Sequence, residues 1–259
     1  MRAGISSATF FNKLFNEDVF DELRRMDCGV CEVFLTTYSE YGEEFAKLLA
    51  SRKGDIEVHS VHTLNTQFEP ELFNKNPRTF ADAFALYEKV LAGARVLGAK
   101  NYTFHGPSRL KKREYKFDFD FLGERAELLC RRAAEFGVTL CYENVHWTYF
   151  SEPSYFRELA AHAPGLGSCL DIKQAMQSGI DYREFIGAMG DTIRTVHLCD
   201  YDENGKLTLP GRGIFDFRGL VRALRDSGVD APLLLELYSS DYESFDEVRE
   251  SFEYIKSLL

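Results

Sequence analysis

Eight short apolar, β-prone runs recur along the chain, each followed by a stretch with the spacing of a helix. The runs are RAGIS (2–6), GVCEVFL (29–35), IEVHSVH (56–62), KNYTFHG (100–106), VTLCYEN (138–144), GSCLDI (167–172), TIRTVHL (192–198) and PLLLELY (232–238). Helix-patterned segments lie at 16–26, 41–52, 77–97, 120–136, 153–162, 181–189, 216–227 and 244–258. Gly98, Gly137 and Gly228 stand at helix-to-strand junctions, where a C-cap favours glycine. Eight strand–helix units predict an α/β fold, a (β/α)8 TIM barrel occupying residues 1–259 as one domain. The alternative is an open doubly wound sheet, which usually has fewer strands and a glycine-rich turn after the first. No GxGxxG follows residues 2–6, and GRG at 211–213 is too short and too late to replace it.

The two-residue period of a strand assigns each side chain to one of two faces. Glu143 opposes Leu140 and Tyr142; Asp171 and Cys169 oppose Leu170 and Ile172; His197 and Thr195 oppose Val196 and Leu198. Glu236 opposes Leu235 and Leu237, His105 and Thr103 oppose Tyr102 and Phe104, and Glu32 opposes Cys31 and Val33. The third run is less clean, with Ser60 and His62 against His59 and Val61. One face is apolar, as a covering helix layer requires. The other ends in a polar or ionisable residue near the strand's C-terminal end, where barrel strands converge on a mouth.

Composition narrows the classes of function. With 45% hydrophobic and 28% charged residues the chain is ordinary globular protein, and no run of about 20 uncharged apolar residues suggests a membrane span. The first residues, MRAGISSATFFNKLF, lack a secretory h-region, so a cytoplasmic location is expected. A formal charge of −10 disfavours nucleic acid as a partner; the local exception, RLKKREYK at 109–116, reads first as a solvated basic loop and second as a phosphate or partner contact. Of six cysteines, Cys28 and Cys31 form a lone CxxC, a weak zinc or redox signal beside a better reading as core packing. Cys141 and Cys169 read as small core fillers on the inward face, and Cys199 as a residue lining the site.

Glu143, Asp171, His197 and Glu236 would together make an oxygen-rich cage with one imidazole. Three ionised carboxylates a few Å apart raise one another's pKa, and a divalent cation removes the conflict. That donor set suits Mn, Mg, Co or Zn without choosing among them. Any one of the four residues alone is more often a hydrogen-bonded strand-end residue than a ligand; their recurrence at matching strand ends gives the pattern its weight.

The ordered words VHT, FHGP, LCYENV, CLDI, TVHLCD, PGRGIFDF and LLLELY resemble the sugar phosphate isomerase/epimerase superfamily, the xylose isomerase-like TIM barrels, over almost the whole chain. The resemblance implies one divalent metal on Glu143, Asp171, His197 and Glu236. It also implies that Glu143 and Glu236 act as the acid/base pair on either face of a carbon beside a carbonyl, through a metal-stabilised enediolate. His62, His105, Arg212 and Trp147 become expected substrate contacts, with Tyr149 and Phe150 beside the tryptophan. The three-zinc apurinic endonucleases share the barrel, but the histidine they carry three residues after the aspartate is Gln174 here, and their later Asp-x-His pair is missing from YDENGKLTLPGRGIFDF. A small-molecule sugar or sugar derivative is therefore the expected partner, with a homo-oligomer left open. The alternatives are a metal-dependent lyase or dehydratase of a cyclic polyol or keto-sugar, and a non-catalytic sugar-binding relative.

Overall fold

In a computed structural model, residues 1–64, 68–109 and 115–259 are described. Seven parallel strands come in chain order: β1 (Ala3–Ser6), β2 (Val30–Leu35), β3 (Glu57–Thr63), β4 (Asn101–Phe104), β5 (Thr139–Glu143), β6 (Gly167–Asp171) and β7 (Ile193–Leu198). A two-stranded antiparallel ribbon follows, β8 (Asp200–Tyr201) and β9 (Leu207–Thr208), and then β10 (Leu233–Leu235) pairs with both β7 and β1 to close the barrel. The eight-stranded parallel barrel predicted from the sequence is the fold.

The helices are α1 (Asn16–Arg25), α2 (Glu43–Arg52), α3 (Pro77–Leu97), α4 (Phe119–Glu135), α5 (Pro153–His162), α6 (Ile172–Ser178), α7 (Tyr182–Met189), α8 (Phe217–Asp226) and α9 (Phe245–Lys256). Their apolar stripes bury Leu23, Leu49, Leu91, Leu129, Leu159, Leu220 and Phe252 against the outward strand residues Val61, Tyr102, Leu140, Leu170, Val196 and Leu235. The core is this shell between barrel and helices. Among the described residues no helix is long and apolar enough to cross a membrane.

Two boundaries differ from the sequence reading in ways that matter to the mouth. The sixth strand stops at Asp171 instead of running through Ile172, because the Asp171 side chain accepts the Gln174 N–H at 2.8 Å and caps α6, a helix the apolar pattern did not reveal. The eighth is only Leu233–Leu235, not 232–238, although Glu236 N–H still donates to Leu198 O at 3.0 Å and keeps Glu236 in register.

Inward positions are mostly small or polar: Ser6, Ser60, Thr103, Cys141, Cys169 and Thr195 are all fully buried. Register places Glu32 beside Ser60, Glu143 beside Cys169, and Asp171 beside His197. The chain leaves β4 through His105 and Gly106; Gly106 has φ 69°, and a Cβ there would fall 1.7 Å from the Tyr142 hydroxyl, so only glycine fits the turn that follows His105.

All six cysteines are free and buried, and Cys28 and Cys31 belong to the apolar core. Cys199 lies against the ribbon, its thiol directed to the carbonyls of Asp200 (3.4 Å) and Thr208 (3.5 Å). Of the basic segment 109–116, residues 110–114 lie outside the described residues; Arg109 donates from Nε to Thr148 O at 2.8 Å.

The loop between β8 and α8 depends on one buried carboxylate. Asp200 accepts backbone N–H groups from Tyr201 (2.8 Å), Gly211, Gly213 and Phe215 (each 3.0 Å). Hydrogen bonds to a charged group contribute more than neutral ones, and removing the acceptor strands the donors. Asp200→Ala is expected to cost about 3 kcal/mol, lowering Tm by roughly 6–12 °C for a chain of this size, which thermal denaturation followed by circular dichroism will read.

Candidate metal centre

Four strand ends deliver the central group. Glu143 closes β5, Asp171 closes β6, His197 is the penultimate residue of β7 and Glu236 follows β10. One potential ligand atom from each lies within 4.8 Å of every other. Glu143 Oε1 and Glu236 Oε2 approach His197 Nδ1 to 3.1 and 2.7 Å. Glu143, Asp171 and His197 are buried, and Glu236 is partly exposed, at 14% of its side chain.

Glu143 Oε2, Asp171 Oδ2 and Glu236 Oε2 are buried without a hydrogen bond of acceptable geometry; the approaches of His197 Nδ1 to Glu236 Oε2 (2.7 Å) and of His105 Nε2 to Glu143 Oε2 (3.1 Å) are close but misaligned. A buried carboxylate oxygen without a donor costs several kcal/mol. Three of them converging on one imidazole face are the donor set of a divalent cation. Smaller groups also meet the distance criterion, including His62–His105–Glu143, Glu143–Cys169–His197 and Glu32–His62–Glu236. Glu32 is the weaker candidate ligand because its oxygens already accept from Ser6 (3.1 Å), Ser60 and Thr103 (both 2.7 Å). Burial holds the Cys169 thiol well above its usual pKa, so it stays protonated.

The electrostatics are those of a site short of positive charge. Burial, together with the charges of Glu143 and Glu236 and against the pull of Lys173, pushes the Asp171 carboxyl up to about 7. Burial also works against ionised Glu143, but the nearby imidazoles of His105 and His197 hold it well below the carboxylate range. Burial would lower His105, yet Glu143 and Glu69 carry it up to about 10.

Supporting contacts fix the ligands. Asn144 donates to Asp171 O at 2.9 Å and accepts from Asp171 N–H at 2.8 Å, tying the exit of β5 to the end of β6. Glu32 Oε1 faces His197 Nε2 at 3.0 Å, so a proton held there would leave the Nδ1 lone pair for a bound cation. Glu69 is wholly buried; it accepts from Thr63 (2.6 Å), Tyr102 (2.8 Å) and the His105 backbone N–H (2.9 Å), with His105 Nδ1 at 3.3 Å.

The other expected contacts divide. His105 Nε2 lies 3.1 Å and His62 Nε2 3.7 Å from Glu143 Oε2, with His62 Nδ1 donating to Thr103 O at 3.0 Å. Trp147 stacks on His105 with ring centroids 6.1 Å apart and planes at 28°. Arg212 is 40% exposed and its guanidinium pairs with Glu247 (2.5 Å) and Glu250 (3.0 Å) on α9. Gln174 is likewise engaged, its Oε1 2.6 Å from His146 Nδ1. Sequence reasoning placed Glu32 on the inward face without a role, and it missed Glu69 and Lys173. Lys173 is almost fully buried, with Nζ 3.5 Å from Asp171 Oδ2 and 3.7 Å from Glu236 Oε1.

Comparison with known proteins agrees with this architecture. A D-psicose 3-epimerase from Clostridium cellulolyticum H10, solved with D-tagatose, superposes with a TM-score of 0.80 at 14% identity, covering 100% of this chain and 99% of the other. A D-tagatose 3-epimerase-like protein gives 0.81 at 18% identity, with coverage of 100% and 97%. The IOLI protein with a bound zinc atom gives 0.79 at 14% identity, with coverage of 98% and 96%. No curated protein sequence matches the chain. The family described as xylose isomerase-like TIM barrel matches residues 20–258, and this chain belongs to it.

Proposed function

We propose that the protein is a divalent-metal-dependent isomerase or epimerase of a sugar or sugar derivative, with Glu143 and Glu236 exchanging a proton with the substrate. The observation that carries this reading is the convergence of Glu143, Asp171, His197 and Glu236 within 4.8 Å, with three of their carboxylate oxygens lacking a hydrogen bond. The likeness to structures of a D-psicose 3-epimerase and of a zinc-bound protein supports it.

These four residues would hold the ion, which when bound supplies positive charge to polarise a sugar carbonyl. The proton on the adjacent carbon then passes to one glutamate and returns from the other. Glu143 and Glu236 come from different strand ends and both lie beside the proposed ion site, within reach of a substrate held there. Glu143 is held ionised beside His105 and His197, so it is free to accept a proton. His62 and His105 offer ring nitrogens to sugar hydroxyls, and Trp147 offers an apolar face to the ring.

The test is turnover of a panel of ketoses and cyclic polyols in deuterium oxide with added manganese. Deuterium at the carbon beside the carbonyl of recovered sugar, with no loss of water, is expected. Loss of water would replace this reading with a lyase, and binding without exchange would replace it with a sugar-binding protein.

A further inference from the structure

Lys173 is the one buried ammonium in the mouth among the described residues. Its side chain is 5% exposed, yet its Nζ makes no hydrogen bond within them. The nearest acceptors are Asp171 Oδ2 at 3.5 Å and Glu236 Oε1 at 3.7 Å, and the ring of Tyr238 lies 4.9 Å away. Its place in the chain makes this position costly. Lys173 is the second residue of α6, where the positive end of the helix dipole disfavours a cation. Burial without a hydrogen bond adds to the penalty. The two carboxylates are the nearest groups that offset both terms, and both belong to the proposed ion site.

Asp171 Oδ2 is at once the oxygen nearest the ammonium and one of the three left without a donor. Its other oxygen is committed to capping α6. A divalent ion and the ammonium must therefore share the same carboxylate. Resting on the reading of the cluster as a cation site, we propose that Lys173 is a built-in competing counter-ion: it holds Asp171 and Glu236 in place when no metal is bound, and it weakens the divalent ion's grip so that the ion exchanges readily. Lys173 is thus a positioning residue acting through two ligands, with no contact to substrate required.

The proposal separates two quantities that a merely structural lysine would move together. In Lys173→Met the unbranched stem is kept and the charge removed. Manganese affinity, measured by titration calorimetry on metal-free protein, is expected to rise at least tenfold, because a unit charge a few Å away opposes the ion. The metal-free variant is expected to melt below the metal-free parent, because Asp171 and Glu236 lose the ammonium between them. Lys173→Arg, which keeps the charge, should stay near the parent in both measurements. Unchanged or weaker manganese binding in Lys173→Met, with normal binding by the parent, overturns the role of Lys173 alone. Failure of both parent and variant to take up manganese overturns the ion site and this inference with it. If the methionine variant does not fold, Lys173→Gln supplies the same comparison.

Discussion

Replacing Glu236 with glutamine is expected to leave a folded protein whose proposed sugar turnover falls by about 10²–10⁴-fold, the range general acid–base catalysis contributes. The substitution preserves shape, and Glu236 is the most open of the four central residues, so packing changes little. What is lost is chemical. Glutamine neither takes up nor returns a proton, and it removes one of two carboxylates that approach His197 Nδ1 from different strand ends. A kinetic assay with circular dichroism on the same sample checks it. Full activity in a folded variant would take Glu236 out of the reaction.

Removing divalent metal with a chelator should abolish turnover and lower thermal stability, and manganese should restore both. The mouth gathers Glu32, Glu69, Glu143, Asp171 and Glu236, against Lys173 and three histidines. Burial, with the charges of Glu143 and Glu236, pushes the Asp171 carboxyl up to about 7 despite Lys173. An ion present at a hundredfold excess over its Kd stabilises the native state by about 2.7 kcal/mol. For a chain of this size that corresponds to roughly 5–10 °C in Tm. Differential scanning calorimetry before and after chelation measures it. Unchanged melting and activity at undetectable metal would remove the ion from both stability and catalysis.

The barrel was legible because its signal is redundant: eight apolar runs, each followed by a helical period, leave little freedom of topology. The four central residues were legible for a related reason. Alternation put Glu143, Asp171, His197 and Glu236 on inward faces, and the structure brings them together. What stayed hidden depends on partners that are distant in the chain and individually ordinary. Glu32 follows a register shift in β2 and is satisfied by hydroxyls from β1, β3 and β4. Glu69 sits in a short 3-10 turn between β3 and α3, where no periodicity marks a buried acid. Lys173 looks like a solvated residue at a helix start, and only the closed barrel brings Glu236 to it. The partners of Arg212 were hidden for the same reason. A glycine-flanked arginine resembles an anion contact, but its partners lie 35 and 38 positions downstream on α9.

Glu32 carries a consequence beyond its own strand. It receives three hydroxyls from below and faces the imidazole of His197 on β7, which β10 and β1 separate from β2 around the barrel. The histidine is therefore braced from across the lumen, so its aim is set by the strand scaffold and not by the loops above it. Exchange of the mouth loops, including the segment that presents Trp147, can then retune which molecule is admitted while the inner carboxylate and imidazole keep their orientation.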